Sequence, residues 1–302
     1  MIFSSLPSIF MIVSPLLITA AGGMICERAG VVNIALEGLM AIGAFTAATI
    51  HYFMEAAGFG RWDLAVALLA AALVSTAFAV IHAYASISLN ADQTISGTGI
   101  NLLASGVTIF FSQIFFHADR TLPFQMGILP DATGFYPTLW IALAVIFVSW
   151  LVLYKTPFGL RLRACGEHPN AAASVGVNVF AMRYIAVLAS GFLAGLSGAC
   201  IVLTQSIQFT SNTINGAGFI ALAAVAFGRW KPLGIVGSTF LFGLASALAV
   251  LAHDFFPRVT QFLPTEAFNI VPYAITLLAL VLFSGKNYAP AADGKPYVTR
   301  GS

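Results

Sequence analysis

The sequence predicts an all-α integral membrane protein, and three observations lead to that fold class. The chain of 302 residues is 59% hydrophobic and only 8% charged, whereas about a quarter of the residues in a soluble domain carry charge. Its mean hydropathy is +0.93. Uncharged runs close to the roughly 20 residues that a membrane-crossing helix needs recur along the chain. We therefore expect a single transmembrane domain over residues 1–302.

The uncharged runs predict a bundle of about nine transmembrane helices. The first is expected to be a retained span, because no basic residue precedes its apolar stretch as it would in a signal peptide. The seventh is short enough to be a half-helix buried in protein, and a full crossing stays open. A polar, glycine-bearing turn at 204–218 precedes it. The predicted spans are 5–25, 31–54, 64–87, 94–116, 138–154, 181–203, 215–228, 233–252 and 268–284.

The distribution of basic residues predicts the orientation, because lysine and arginine concentrate in cytoplasmic loops. With residues 159–177 in the cytoplasm, only Arg61, Arg120 and Arg258 lie outside. The N-terminus is then outside, and a coupling loop at 156–180 and a tail at 285–302 are cytoplasmic. The basic residues placed inside are Arg28, Lys155, Arg161, Arg163, Arg183, Arg229, Lys231, Lys286, Lys295 and Arg300.

Composition and motifs argue against several function classes. The net charge of +2 gives no reason to expect a nucleic acid partner. Cys26, Cys165 and Cys200 lack metal-like spacing, so we expect free thiols. The sequence has no serine nucleophile elbow, zinc-protease motif or phosphate-binding loop. We therefore expect no catalytic residue, metal or cofactor in this chain, and any nucleotide energy must enter through another polypeptide.

Polar side chains within the predicted spans, where such groups are costly, and in the external turn at 204–218 are candidates for a translocation path. Asn33 and Glu37 are expected to share a helix face, one turn apart. This face could line a route or internal gate, or Glu37 could bond a neighbouring helix near the cytoplasmic interface. Asn101, Gln113, Gln205 and Gln208 could bind a polar, uncharged solute or stabilise helix ends. The six candidates are Asn33, Glu37, Asn101, Gln113, Gln205 and Gln208.

The stretch GLRLRACGEHPNAAASVGV at 159–177 gathers charge in an otherwise apolar chain. Pro169 suits the first position of a helix, and Gly176 can end it after the intervening alanines. A short cytoplasmic helix is predicted. It is either a docking element for a partner or part of an ordinary basic loop.

This stretch resembles the coupling loop of permeases in the branched-chain amino acid, ribose and nucleoside group of ABC importers. Their pattern is G-x-x-x-R-A-x-G-x-N-P-x-A-A-x-x-x-G, and His168 stands here where asparagine is usual. The positions that match are Gly159, Arg163, Ala164, Gly166, Glu167, Pro169, Ala171, Ala172 and Gly176.

Four further stretches resemble the nucleoside-type permeases of that group. Three are ERAGVVNIALEGLMAIGAF at 27–45, ISGTGINLLASGVT at 95–108 and GFIALAAVAFGRWKPLG at 218–234. The fourth is the tail segment GKPYV at 294–298. The resemblance implies a small nucleoside-like solute, with riboflavin, a simple sugar or a branched-chain amino acid as alternatives. An ion-coupled secondary transporter is the alternative from another class.

The resemblance also implies partners and a location in the bacterial cytoplasmic (inner) membrane. The expected partners are a second permease, homologous or identical, two cytoplasmic ATPase domains that bind ATP and Mg, and an external binding lipoprotein or periplasmic protein. In this family the coupling loop sits in a groove of the ATPase. The residues expected to couple to the ATPase are Arg161, Arg163, Gly166, Glu167, His168, Pro169, Asn170, Ala171 and Ala172.

Overall fold

The computed structural model describes residues 5–60, 62–251, 268, 270–271, 274–275, 277–278 and 288–298. Within these residues the regular structure is helical, without a β-strand, which confirms the all-α prediction. The helices are α1 (Leu6–Arg28), α2 (Leu36–Ala56), α3 (Trp62–Ala83), α4 (Gln93–Phe116), α5 (Pro137–Lys155), α6 (Pro157–Glu167), α7 (Pro169–Ser174), α8 (Val179–Gln205), α9 (Ala217–Phe227) and α10 (Pro232–Val250).

Six helices in the described part of the chain are long and apolar enough to cross a membrane. They are α1, α3 with its π-helical extension to Ser88, α4, α5, α8 and α10. Helix α2 has 21 residues but is more polar, because it contains Glu37, His51 and Glu55. The predicted ninth span, 268–284, falls mostly outside the described residues, as do Arg61, Arg258, Lys286 and Arg300. The count of nine crossings stays a prediction.

Helix starts follow local capping chemistry. Asp92 accepts a hydrogen bond from the Ile95 amide at the start of α4, and Asn178 accepts one from Ala181 at the start of α8. These side chains satisfy amides that have no partner within the helix. Proline occupies the first turn of α5, α6 and α10, where a missing amide hydrogen costs nothing.

Helix α8 is the centre of the bundle and packs against α1, α2 and α3. The hydroxyl of Ser75 on α3 donates to the carbonyl of Leu39 on α2 or of Gly191 on α8, with both oxygens 2.9 Å away. Gly191 and Gly195 face α3 directly. The small residues of α8 therefore allow close helix packing within this chain, as such residues do in membrane bundles.

The second predicted span begins later than expected. Residues 31–33 are not helical, and α2 starts at Leu36. The prediction that Asn33 and Glu37 share a helix face is therefore wrong. The physical reason is a side-chain hydrogen bond, which Asn33 Oδ1 accepts from the Ala35 amide at 3.1 Å. A bond of this kind forms a local turn, and the turn competes with helix formation.

The predicted coupling loop contains two helices instead of one. Thr156 Oγ1 accepts the Gly159 amide at 3.1 Å, and Pro157 follows this cap, so that α6 forms before the short helix. Gly166 therefore lies inside α6. The short helix itself is confirmed, since α7 begins at Pro169 and Gly176, with φ of 83°, follows its end.

The seventh predicted span is confirmed as a short helix. Helix α9 has 11 residues, about 16 Å at 1.5 Å per residue. That is about half of a hydrocarbon core of roughly 30 Å. Residues 206–216, between α8 and α9, form no regular helix. The chain thus reaches α9 through a non-helical segment.

Candidate functional site

Three of the sequence stretches that resemble nucleoside-type permeases meet at one junction inside the bundle. We call it the Glu37 junction: it consists of the start of α2, residues 97–101 of α4 and the start of α9. Glu37 Oε1 accepts the Gly216 amide and Oε2 accepts the Gly218 amide, each at 2.7 Å. Amides at a helix start lack partners within the helix and carry partial positive charge. Glu37 therefore satisfies and neutralises the start of α9.

Close backbone approach makes this arrangement possible. A Cβ atom at Gly218 would lie 2.6 Å from both the Cα and the amide nitrogen of Glu37. Real side chains do not tolerate such a distance, so this position requires glycine. The half-helix α9 therefore rests directly on the backbone of α2.

Asn101 connects α4 to the same junction. Its Oδ1 atom accepts the Gly38 amide at 2.8 Å, and its Nδ2 atom donates to the Ile34 carbonyl at 3.0 Å. Both partners belong to the start of α2, so Asn101 acts as a cap supplied by another helix. Its amide group is therefore committed to the backbone rather than open to a solute.

The other candidate path residues are distributed over the molecule. Asn33 is fully buried, and its Nδ2 atom donates to Ser190 Oγ on α8 at 2.6 Å. Gln205 ends α8 and donates to the Met11 carbonyl at 3.1 Å. Gln208 lies in the segment after α8 and is partly buried, whereas Gln113 is exposed on α4. The structure brings Asn33, Glu37 and Asn101 to the start of α2 and places the three glutamines elsewhere.

At the opposite end of α2, a second carboxylate binds backbone amides. Glu55 accepts the Gln125 amide at 2.8 Å and the Met126 amide at 2.9 Å. These residues belong to the α4–α5 connection, which also bonds to residues 203–209 through Ile128 and Phe124. The two carboxylates of α2 thus hold two different connecting segments by the same type of bond.

The residues on α6 that are predicted to couple to an ATPase are partly exposed and partly bonded within the protein. Arg161 is exposed, whereas the Arg163 guanidinium lies 4.7 Å from the centre of the Tyr154 ring. Glu167 lies 3.7 Å from Arg28 of α1 and accepts the Ala291 amide at 3.3 Å. Helix α6 is therefore connected both to the bundle and to the tail.

The joint between α6 and α7 presents a small exposed surface. His168 occupies the joint with φ of −140° and ψ of 80°, and its side chain is exposed. Asn170 and Ala171 are also exposed, whereas Ala172 is 4% exposed and Pro169 is intermediate. One face of α7 is thus free for a partner while the other packs on the protein.

The C-terminal tail supplies the surface on which α7 packs. Tyr297 is 8% exposed and clusters with Cys165, Ala172 and Val179. Its ring centre lies 5.3 Å from that of Phe180. We call the described segment 288–298 the tail strap, because it bonds to α6 through the Ala292 amide and the Gly166 carbonyl at 2.8 Å.

A buried arginine holds the tail strap to α8. Arg183 is 1% exposed, and its Nη1 atom donates to the Lys295 carbonyl at 3.0 Å. Beside it, burial raises the pKa of Asp293 to about 7, against the opposing effects of the Gly294 amide and the Arg183 charge. Sequence reasoning missed both residues as site components. The available signal was the GKPYV stretch in the tail.

A line of contacts joins α6 to α9. Arg28, which lies near Glu167, donates through Nε and Nη2 to the Trp230 carbonyl at 3.0 and 2.9 Å. The Trp230 indole in turn donates to the Glu27 carboxylate. Trp230 follows α9 by three residues. The far end of α9 is therefore held at the coupling side, whereas its start is held by Glu37.

Six apolar helices long enough to cross a membrane, with the short apolar helix α9 packed against α1, α2 and α10, indicate a helical integral membrane protein. The family model described as "Branched-chain amino acid transport system / permease component" matches residues 5–280. The chain belongs to this family. It is a membrane permease subunit of an ABC importer and a multi-pass protein of the bacterial inner membrane. Permeases of this kind work with ATPase subunits and a substrate-binding protein.

Permeases of Bacillus subtilis and Lactococcus lactis are among the similar proteins. The chain is 42% identical to the guanosine ABC transporter permease protein NupQ of Bacillus subtilis, over 97% of this chain and 95% of that protein. It is 38% identical to the nucleoside ABC transporter permease protein NupC of Lactococcus lactis, over 94% and 93% of the two chains. A second guanosine permease protein of Bacillus subtilis, NupP, is 24% identical over 92% of this chain and 80% of its own length.

Proposed function

We propose that this chain moves nucleosides inward, powered by a separate ATPase that docks on α6 and α7. Its similarity to NupQ over nearly the whole of both chains carries the proposal. The Glu37 junction supports it, since three stretches that resemble nucleoside permeases come together there. The partner ATPase domains bind ATP and Mg, and this chain supplies the route.

The second permease of the working unit is a homologous chain rather than a second copy. Two guanosine permease proteins of Bacillus subtilis both resemble this chain, one at 42% and one at 24% identity. A pair of related but different permeases explains these two levels of similarity. An external binding protein delivers the nucleoside on the outer side, where the N-terminus lies, and the tail is cytoplasmic.

The outward face of α4 is the best candidate for the wall of the route. Thr98, Gly99, Ser105 and Gly106 are exposed there, and Gln113 follows towards the end of the helix. Large apolar residues such as Leu102 and Phe110 are exposed on α4 as well, as Leu69, Leu73, Leu143, Phe147 and Leu151 are on α3 and α5. The exposed hydroxyl and amide groups distinguish α4, because a lipid-facing surface needs none, and they suit a polar solute or the second permease.

Uptake of radiolabelled guanosine tests the proposed function. The transporter with its own ATPase and binding protein is placed in liposomes, with ATP on the ATPase side. We expect uptake that unlabelled purine nucleosides inhibit and that riboflavin, glucose and leucine do not. Uptake by the permease alone under an ion gradient would show a secondary transporter. Inhibition only by riboflavin, glucose or leucine would show that the substrate is not a nucleoside.

A further inference from the structure

Glu37 differs from the surrounding residues of α2 in what it bonds. Of the 21 residues of α2, 12 are buried, and Glu37 is the first partly exposed residue of the helix. Both of its carboxylate oxygens are used on α9 amides at 2.7 Å. A carboxylate that accepts amide hydrogens forms charge-assisted bonds, which are about twice as strong as neutral ones.

Helix α9 has its two ends attached to different helices. Its start is bonded to α2 through Glu37, and the turn after its end is bonded to α1 through Arg28 and Trp230. Arg28 also lies 3.7 Å from Glu167 of the coupling helix α6. Any movement of α6 that displaces Arg28 therefore acts on α9, and the Glu37 bonds determine whether α2 follows.

We propose that Glu37 is a positioning residue for transport: its two bonds make α9 and the start of α2 one moving unit, so that movement at α6 reaches the centre of the bundle. The inference rests on the proposed function for its uptake readout. Glu37 is thereby assigned to α9 rather than to the solute, and of the two roles that the sequence left open, a route or a bond to a neighbouring helix, the proposal favours the second. Asn101 completes the unit by bonding α4 to the start of α2.

The test compares two isosteric substitutions on the same helix, Glu37→Gln and Glu55→Gln. Each replaces a carboxylate that accepts two backbone amides, at the Glu37 junction in one case and at the α4–α5 connection in the other. Glutamine keeps the shape but has one oxygen acceptor and no charge. Glu37→Asp serves as a milder variant with a carboxylate of shorter reach.

Three quantities are measured on the complete transporter in liposomes. They are the maximal guanosine uptake rate, the guanosine concentration for half-maximal uptake and the ATP hydrolysed per guanosine. For Glu37→Gln we expect the maximal rate to fall about tenfold, as the loss of one charge-assisted bond implies. The half-maximal concentration stays within about twofold, because the residue does not touch the solute. ATP hydrolysed per guanosine rises, and Glu37→Asp is intermediate.

Amide hydrogen exchange gives a readout that does not depend on the solute. In Glu37→Gln, the amides of Gly216 and Gly218 exchange faster, and the change is confined to the start of α9. In Glu55→Gln, faster exchange is confined to Gln125 and Met126. This arm tests the bonds of Glu37 even if the solute proves not to be a nucleoside.

Several results would overturn the proposal. Equal uptake by Glu37→Gln and Glu55→Gln would do so, as would a change only in the half-maximal concentration, which would place Glu37 on the solute. Loss of both Glu37 variants from the membrane while Glu55→Gln inserts normally would assign Glu37 to folding alone. Failure of guanosine uptake by the unmodified transporter counts against the proposed function, whereas unchanged exchange at Gly216 and Gly218 counts against the role of Glu37.

Discussion

The two short helices α7 and α9 both pack apolar residues on the rest of the protein, but only α9 has a carboxylate bonded to the amides at its start. Helix α7 packs an alanine face on Tyr297 and Cys165, while its other face is exposed. Helix α9 lies inside the bundle and is held at its start by the Glu37 carboxylate. The exposed face of α7 is thus positioned by apolar contacts from behind. The start of α9 has unpaired amides that a side chain of another helix satisfies.

The largest effect is expected for a substitution at the tightest contact of α9. Gly218→Leu would place Cβ 2.6 Å from the Glu37 backbone. Overpacking of this kind costs about 3 kcal/mol or more, so we expect little folded permease. Fluorescence-detected size-exclusion chromatography of detergent extracts measures the amount. Gly237→Leu on α10 is the control, because a Cβ there meets nothing within 4 Å. Equal yields of the two variants would contradict the contact.

A smaller effect is expected at the tail strap. Tyr297→Ala removes a buried ring from the surface behind α7, at a cost of up to about 3 kcal/mol. We expect the tail to become sensitive to protease and ATP-driven uptake to fall, while the bundle stays folded. Val298→Ala is the matched control, because Val298 is 60% exposed. If the tail of Tyr297→Ala resisted the protease as well as the unmodified tail does, the tail strap would be held by residues other than Tyr297.

On α7 itself, the two neighbouring alanines should respond differently to a charge. Ala171 is exposed and Ala172 is 4% exposed. Ala171→Glu is expected to insert and keep its tail protected, yet to lose binding of the ATPase in co-purification. Ala172→Glu is expected to release the tail as well, because it buries a charge against Tyr297. Normal ATPase binding by both variants would contradict the assignment of α7 as the docking helix.

The smallest effect is a pH dependence of the tail. The pKa of Asp293 is raised from 3.8 to about 7 in the folded protein. Between pH 4 and pH 7, Asp293 therefore binds a proton more readily in the folded protein than in the free tail. Because the docked tail is the protonated form, docking weakens as the pH rises through this range. Protease cleavage of the tail should be faster at pH 8 than at pH 5. Asp293→Asn should remove this dependence, and cleavage that is independent of pH in the unmodified protein would refute it.

Sequence patterns predicted the membrane helices well because length and hydropathy are local properties. The starts of α4, α5 and α10 lie within a residue of the prediction, and α7 was recognised from Pro169 and Gly176. Helix α6 was missed, because its cap at Thr156 and its arginines resemble a polar loop. The late start of α2 was missed because the bond from Asn33 to Ala35 leaves no trace in hydropathy.

The candidate site could be predicted only in part. The stretches that form the Glu37 junction were identified from their resemblance to permeases, but their meeting depends on contacts between residues far apart in sequence. Glu37 and Gly218 are bonded across the whole middle of the chain, and no periodicity reports such a pair. The tail strap was signalled only by the GKPYV stretch, because Arg183 and Lys295 each resemble ordinary basic residues of a cytoplasmic loop.

The length of α9 has a mechanical consequence. A single run of 11 helical residues is much stiffer along its axis than the few side-chain bonds at either end. Strain applied beneath the bilayer therefore accumulates at those bonds and not within the helix. The turnover of the importer should then depend on the side chains that flank α9 more than on the apolar residues along it.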